Sequence, residues 1–100
     1  IGLEYRTTKE QLQIIKKEIK NFIESNDKFI KSENTPVSIT INEFAASSID
    51  IKIICFCKTS SYLEYLKVKD LLAINLKEIV EKNKASFAFP STSIYVEKNT

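Results

Sequence analysis

The sequence contains no histidine, methionine or tryptophan, and Gly2 is its only glycine. Without histidine, the Ser-His-Asp triad and other imidazole-based acid–base chemistry are excluded. Without further glycines, the phosphate-binding loops of nucleotide-binding proteins are also excluded, because their backbone must approach the phosphates closely. The acidic pair Glu78 and Glu81 lies among lysines on a predicted helix, and we interpret it as solvated surface charge. The sequence therefore predicts no catalytic residues and no enzyme activity.

Cysteine is nearly as scarce, since only Cys55 and Cys57 are present. Two residues apart on a strand, their side chains point to the same face, and a disulfide between them would be strained. A closed zinc site would need further cysteines or histidines from the same chain. We interpret both as reduced, buried structural thiols, which is typical of a reducing compartment. No metal and no cofactor are predicted.

Neither a strong charge excess nor a long apolar run is present. The formal net charge is +2, with 15 basic and 13 acidic side chains. So small an excess does not indicate binding to nucleic acid or to an anionic membrane surface. No apolar run approaches the ~18 residues of a transmembrane helix, and no signal-peptide pattern is found. Because the chain begins at Ile1 without methionine and already in a strand-like pattern, we expect it to be one domain of a longer protein.

What the sequence does contain is an apolar hairpin in residues 37–58, around which the rest is organised. Val37, Ile39 and Ile41 alternate with polar residues, and a second alternating run begins at Ile49. Period-two alternation of β-branched residues predicts strands with one buried face. Residues 43–48 are predicted to connect the two strands as the loop of an antiparallel hairpin.

A first helix is predicted before the hairpin. Thr7 and Glu10 have the spacing of a capping box, in which the side chain of each residue accepts a hydrogen bond from the backbone amide of the other. The helix should therefore begin at Thr8. Apolar residues then recur at helical spacing, with lysines on the opposite side. The polar residues 25–27 should end this helix.

A second helix is predicted after the hairpin. Ser61 and Glu64 repeat the capping-box spacing. The apolar stripe that follows, from Tyr65 to Val80, predicts about 20 helical residues with lysines at the end, where cations suit the helix dipole. Asn83 is predicted to end the helix in a left-handed conformation.

Short strands are predicted at both ends, from the alternation that starts at Ile1 and from residues 86–89, which Pro90 ends. The order β-α-β-β-α-β predicts an α+β, ferredoxin-like fold, an antiparallel sheet with two helices on one face. Residues 1–90 should form this domain, and residues 91–100 a C-terminal extension strand and charged tail. The predicted core consists of Leu3, Tyr5, Leu12, Ile15, Ile19, Phe22, Ile39, Ile41, Ile51, Ile53, Val68, Leu72, Ile79 and Phe87.

The open face of the predicted sheet carries two apolar residues, Ile54 and Phe56, among polar neighbours. Some ferredoxin-like sheets bind RNA through aromatic residues on this face. The basic, glycine-containing aromatic signature of those proteins is missing from residues 49–58. RNA binding is therefore not predicted. Ile54 and Phe56 are either scattered exposed apolar residues of the kind that is normal on protein surfaces, or a patch that contacts another protein chain or a missing domain.

Three motifs together resemble the C-terminal cytoplasmic domain of small-conductance mechanosensitive channels. They are residues 1–7 leading to Leu12, residues 42–50 (Asn-Glu-Phe-Ala-Ala-Ser-Ser-Ile-Asp), and residues 87–90 (Phe-Ala-Phe-Pro) followed by the alternating residues 91–96. The resemblance covers essentially the whole chain in the right order. It departs where the family often has glycine in place of Ala45, and Gly-Ile in place of Lys84-Ala85.

The resemblance implies a non-catalytic part of a homo-oligomer, usually a heptamer, in the inner membrane. Such a channel releases ions and small solutes under membrane tension. This domain would form a cage on the cytoplasmic side, and only the missing N-terminal part would meet the membrane. The last segment would contribute one strand per subunit to a small barrel. The expected oligomer interface is thus Ile54, Phe56, Ile94, Tyr95 and Val96.

The alternative is a stand-alone ferredoxin-like module that binds a small ligand or a metal. The sequence that precedes Ile1 in the gene separates the two hypotheses. Hydrophobic spans of about 20 residues there support the channel.

Overall fold

The computed structural model describes residues 1–30, 36–45, 47–88 and 97–98. Within that part of the chain, two helices and six strands form the α+β architecture that the sequence predicts. In chain order these elements are β1 (Gly2–Leu3), α1 (Lys9–Ser25), β2 (Phe29–Ile30), β3 (Ser38–Phe44), β4 (Ile49–Ile54), β5 (Phe56–Cys57), α2 (Tyr62–Lys82) and β6 (Glu97–Lys98).

The central sheet is antiparallel and has the order β1-β4-β3. A single antiparallel bridge between Leu3 and Phe87 extends it beyond β1. β4 therefore lies between β1 and β3, and β1 lies between β4 and the segment after α2. This order agrees with the split βαβ arrangement that the sequence predicts, with the predicted fourth strand reduced to one bridge among the described residues. Phe89, the other aromatic of that predicted strand, lies outside the described residues.

A second small sheet has the order β2-β5-β6. The second hairpin strand is interrupted at Cys55, so that β4 pairs with β3 while β5 pairs with β2. β2 is not predicted by the sequence analysis, although its Phe29 is completely buried. β6 joins β5 in parallel, where the sequence analysis predicts only a charged tail.

The core lies between the helices and one face of the strands, and the predicted core is largely confirmed. The strand residues Ile49, Ile51, Ile53 and Cys55 share the buried face, as their alternation requires. Phe22, Ile41 and Phe87 are only half-buried but pack against the same cluster. The helices contribute Leu12, Ile15, Ile19 and Ile23 from α1, and Val68, Leu72, Leu76, Ile79 and Val80 from α2.

The prediction that Tyr5 is buried is wrong, because its side chain is 49% exposed. β1 ends at Leu3, and the chain then turns, with the amide of Thr7 donating to the carbonyl of Glu4 at 3.0 Å. The sequence alternation continues to Tyr5, but the backbone leaves the strand conformation after Leu3. The Thr7 hydroxyl also donates to the Glu4 carbonyl, at 2.6 Å, and so is not available as a helix cap.

The capping box of α1 consequently lies one residue later than predicted. The Thr8 hydroxyl accepts from the amide of Gln11 at 3.1 Å, and the Gln11 side chain accepts from the amide of Thr8 at 2.8 Å. At α2 one half of the predicted capping box is found, since the Ser61 hydroxyl accepts from the amide of Glu64 at 3.5 Å. The Glu64 carboxylate accepts from Lys67 of its own helix.

The hairpin loop is shorter than predicted. β3 continues through Glu43 and Phe44, and a bulge after Ile41 shifts its register against β4. The turn is closed by the amide of Ala45, which donates to the carbonyl of Ser48 at 2.8 Å.

The end of α2 is held by side chains from α1. Asn83 donates from its amide nitrogen to Glu18 and to the carbonyl of Ile79, both at 2.8 Å, and its own carbonyl accepts from Gln11. Lys82 donates to the same Glu18 carboxylate at 2.7 Å. These hydrogen bonds, first from Lys82 and then from Asn83, lower the pKa of Glu18.

The left-handed residue after α2 is Lys84, at φ 60°, and not Asn83, whose φ is −90°. The amide of Lys84 donates to the carbonyl of Glu81, and the amide of Ala85 donates to the carbonyl of Val80, both at 3.0 Å. This pair of bonds is a Schellman motif, whose left-handed position is normally occupied by glycine. The chain thus has lysine where the backbone favours glycine.

Replacing Lys84 with glycine should raise the free energy of unfolding by about 0.5–1 kcal/mol. The relief of left-handed strain, about 1–2 kcal/mol, exceeds the entropy that glycine adds to the unfolded chain, about 0.4–1 kcal/mol. The midpoint of urea denaturation at an unchanged slope measures the effect. The matched control is Lys69→Gly on the exposed side of α2, which should lose about 1 kcal/mol. A destabilised Lys84→Gly protein would contradict the assigned helix end.

Candidate functional site

The two predicted interface residues in the described part of the chain lie at the junction between the sheets. Ile54 is opposite Ser38 at the end of β4, and Phe56 is opposite Ile30 in β5. Both side chains point away from the buried residues Ile53 and Cys55 and are half-buried. The other three predicted interface residues, Ile94, Tyr95 and Val96, lie outside the described residues.

Four aliphatic side chains of α2 are exposed instead. Leu63, Leu66, Leu71 and Ile74, here called the outer α2 face, are exposed by 70%, 39%, 41% and 60%. Their spacing places them on the side of the helix opposite to the buried stripe. The sequence analysis overlooked this face because the buried stripe already explained the helix. The signal was available, since apolar residues surround most of the helix instead of following one stripe.

A second exposed apolar surface lies at the far end of the central sheet. Phe44 is 67% exposed at the end of β3, and Tyr5 lies in the turn after β1. Leu3 and Phe44 both pair with Ile49, so these strand ends lie at the same end of the sheet, on the two sides of β4. We call Tyr5 and Phe44 together the hairpin end.

Charged groups belong to both surfaces, and on the outer α2 face Lys67 and Asp70 lie between the apolar residues. On the outer α2 face, Lys67 forms an exposed, 3.4 Å ion pair within its own helix, and Asp70 lies on the same side. At the hairpin end, Glu43 is directly opposite Asp50 in the ladder, an arrangement in which like charges repel. Asp50 accepts from Ser48 at 2.6 Å and lies near the amino group of Ile1. None of the ion pairs between described residues includes Glu43.

A polar cleft runs between the two helices, with a volume of about 320 Å³. Its lining includes Glu18, Asn21, Ser25 and Asn75. The side-chain oxygen of Asn75 is buried and accepts no hydrogen bond from the described residues. A single water molecule is sufficient to satisfy such an oxygen in an open polar cleft. The cleft therefore needs no bound ligand to account for it.

The two cysteines are free and buried on the core face, as predicted. Burial, with a smaller contribution from Cys57, raises the pKa of Cys55 to about 12. The Cys57 thiol donates weakly to the carbonyl of Thr59 at 3.8 Å. At neutral pH Cys55 is therefore a thiol and a poor nucleophile.

We expect both cysteines to resist alkylation while the protein is folded. At pH 8, far below the pKa of about 12 for Cys55, iodoacetamide should label the urea-unfolded chain at two sites and leave the native chain essentially unlabelled. Intact-mass spectrometry measures the number of adducts. The Ile14→Cys variant is the matched control, because this α1 position is 48% exposed and should be labelled in the native state. Rapid native labelling of Cys55 would contradict the buried placement.

Metal binding and membrane spanning have no support in the described residues. No group of three or more histidine, cysteine or acidic residues is arranged to hold a metal ion there. In the same part of the chain, neither helix combines the length and apolar character needed to cross a bilayer.

Comparison with known proteins gives consistent matches. The family profile described as "Mechanosensitive ion channel MscS, C-terminal" matches residues 1–87. An uncharacterized MscS family protein of Aquifex aeolicus is 40% identical over 98 residues, which are 98% of this chain and 26% of that protein. The low conductance mechanosensitive channel YnaI of Escherichia coli is 36% identical over 62 residues, 62% of this chain and 18% of that protein.

A third relative comes from an archaeon. The small-conductance mechanosensitive channel MscMJ of Methanocaldococcus jannaschii is 27% identical over 99 residues, 99% of this chain and 27% of that protein. The chain thus spans about a quarter or less of the length of these relatives. The matches concern one part of considerably longer proteins.

Proposed function

Because this chain belongs to the MscS family of mechanosensitive ion channels, as a C-terminal domain, we propose that it assembles the cytoplasmic cage of a homo-oligomeric channel. The full-length protein would be a heptamer in the inner membrane that releases ions and small solutes under membrane tension. The single observation that carries this proposal is the family match over residues 1–87. The family is one of channels and not of enzymes, which agrees with the lack of catalytic motifs in the sequence.

The exposed surface of the domain supports an assembly role. Monomeric soluble proteins rarely expose contiguous apolar patches of several large side chains, and such patches commonly mark contacts between proteins. The exposed apolar side chains of the outer α2 face and of the hairpin end are candidates for such contacts. The alternative is a stand-alone ferredoxin-like module that binds a small ligand or a metal. For the metal, no donor cluster is present among the described residues.

The test of the channel function is electrical. The full-length protein should be expressed in bacterial spheroplasts that lack their own mechanosensitive channels, and excised patches should be stretched by suction. We expect single-channel openings whose probability rises with membrane tension. Patches from cells that carry the empty vector are the control. A full-length protein that reaches the membrane but gives no tension-dependent current would contradict the proposed function.

We further propose that residues 1–90 are the domain and residues 91–100 a separate assembly element. Pro90 cannot donate a ladder hydrogen bond and separates the two parts. Ile94, Tyr95 and Val96 would contribute a strand to a barrel shared between subunits, and Ile54 and Phe56 would lie at the same interface. An unpaired strand edge favours pairing with another chain.

Deleting residues 91–100 should weaken self-association more than folding. Only β6 and its pairing with β5 are lost from the described part of the domain, so the free energy of unfolding should fall by no more than about 1 kcal/mol. Sedimentation velocity and urea denaturation of the intact and shortened chains measure the two effects. Equal sedimentation of both, or unfolding of the shortened chain, would contradict the assignment of these residues to assembly.

A further inference from the structure

The backbone is strained just after α2. Lys84 has a φ of 60°, a left-handed conformation that residues with a Cβ rarely adopt. Such a conformation persists only where the surrounding structure holds the backbone in place, and it often marks a segment that changes state. The contacts that hold the end of α2 therefore decide whether this strain is retained.

Side chains of α1 supply these contacts. Both carboxylate oxygens of Glu18 are used, one accepting from Lys82 at 2.7 Å and the other from Asn83 at 2.8 Å. Gln11 donates to the carbonyl of Asn83 at 2.9 Å, and its side chain also accepts from the backbone at the start of α1. We call Gln11, Glu18, Lys82 and Asn83 the helix latch. It fixes the two residues directly before Lys84.

The segment that follows the latch is held to the central sheet by few contacts. The amide of Glu4 donates to the carbonyl of Ser86 at 3.0 Å, and the amide of Ala88 donates to the carbonyl of Gly2 at 2.9 Å. The largest side chain of the segment, Phe87, is only half-buried. We call residues 83–88 the exit segment. Because local opening costs least where few bonds and little buried surface are lost, this segment can open while the rest of the domain stays folded.

The ion pair of the helix latch is accessible to dissolved ions. The side chain of Lys82 is 65% exposed, and that of Glu18 is 25% exposed. Both residues line the open cleft between the two helices. Ion pairs in contact with solvent weaken as the salt concentration rises. The latch is thus a contact whose strength depends on the surrounding solution.

We infer that the helix latch is a salt-sensitive switch that controls the opening of the exit segment. In the closed state it keeps Lys84 left-handed and the exit segment paired with β1. When the latch is weakened, Lys84 leaves the left-handed region, and the bonds to Gly2 and Glu4 break. The exit segment leads to residues 91–100, so its opening would change how these residues leave the domain. The inference concerns contacts within one copy and does not depend on the proposed channel function.

Amide hydrogen exchange of this chain, resolved by NMR, tests whether the exit segment opens as a unit. Four amides donate to the bonds that opening breaks, and they should share one protection factor: Glu4, Lys84, Ala85 and Ala88. This factor should be at least about tenfold below that of Leu72 in the middle of α2. Four unrelated protection factors, or values equal to that of Leu72, would overturn the inference.

The salt dependence is measured on the same four amides. Raising the KCl concentration from about 0.05 M to about 0.5 M should lower their protection factor about twofold. The amide of Ala45 is the internal control, because it is bonded to Ser48 within the hairpin turn and its opening leaves the latch intact. Its protection should not change. If all five amides respond equally to salt, the latch is not the salt-sensitive element.

Glu18→Ala removes both bonds of the carboxylate and should lower the shared protection factor about fivefold. The matched control is Glu81→Ala, which removes a 3.1 Å ion pair with Lys77 near the same end of α2 without affecting any contact to α1. This control should change the protection factor by less than about twofold. Equal effects of the two substitutions would show that the contact between the helices does not hold the exit segment.

Lys84→Gly separates the strain from the latch. Glycine adopts the left-handed conformation without a Cβ clash, so the closed state should become more favourable. The shared protection factor should rise about twofold to fivefold, both in the parent chain and in the Glu18→Ala variant. The double variant should thereby recover most of the protection that Glu18→Ala loses. A lower protection factor in Lys84→Gly than in the parent would contradict the assigned role of this residue.

Discussion

Replacing Leu72 with alanine is expected to lower the free energy of unfolding of this chain by about 2–5 kcal/mol. Leu72 has no exposed surface and belongs to the single cluster that joins α2 to α1 and to the strands. The loss of stability has two parts. One is the hydrophobic transfer free energy of the missing methyl and methylene groups, and the other is the cost of the cavity that remains because the close-packed neighbours do not fill it. Since small domains are stable by only about 5–15 kcal/mol, this one change would remove a large part of the total.

Urea denaturation followed by circular dichroism measures the change, provided that the slope of the transition is retained. The matched control is Ile14→Ala, at a position that is 48% exposed on α1. It should alter stability by less than about 0.5 kcal/mol, because little buried area is lost and alanine favours the helix. If Leu72→Ala and Ile14→Ala cost the same, α2 would be packed through a different side.

The second large effect is expected at Phe29, where alanine should cost about 3–5 kcal/mol. Phe29 is completely buried in β2, and its ring meets that of Phe22 edge to face, with centroids 6.4 Å apart at 69°. Such aromatic pairs add about 0.5–1.5 kcal/mol beyond the area that they bury. Among the described strands β2 pairs with β5 alone, and this aromatic anchor holds the second sheet to the core.

Phe44→Ala is the control for Phe29→Ala, because it makes the same chemical change at a strand residue that is 67% exposed. We expect it to cost less than about 1 kcal/mol in the isolated chain. Thermal melts of both variants at one protein concentration provide the comparison. A Phe29→Ala protein that melts like the parent would show that β2 contributes nothing to the fold.

The sequence was sufficient to predict the elements that repeat over many residues. The alternation from Ile49 to Cys55 and the α1 stripe through Ile15 and Ile19 are both found in the core. Each depends on the local period of a strand or helix, which the chain carries without reference to its neighbours. The fold class followed from the order of these elements.

The errors occurred where contacts distant in sequence decide local geometry. Asn83 has the local preference for the left-handed conformation that ends a helix. Its hydrogen bonds to Glu18 and from Gln11 of α1 hold its backbone in a different conformation, and Lys84 adopts the left-handed one. β2 is two residues long and exists because Phe29 is buried and β5 lies beside it. Neither effect is encoded in a short window of sequence.

The same difference between local sequence patterns and contacts distant in sequence applies to the candidate site. The sequence predicted an apolar contact surface from Ile54 and Phe56, which are half-buried at the junction of the two sheets. The outer α2 face, led by Leu63 and Ile74, became evident only when the structure showed which side of the helix the core uses. A helix with apolar residues on both sides does not reveal by itself which side remains uncovered.

The central claim is that this domain assembles a ring of identical subunits, and the mass of the intact assembly tests it most directly. The full-length protein should be purified in mild detergent and measured by native mass spectrometry, with detergent stripped in the gas phase. The account predicts a heptamer as the dominant species. A monomer or a dimer, obtained from protein that is folded and monodisperse, would contradict it.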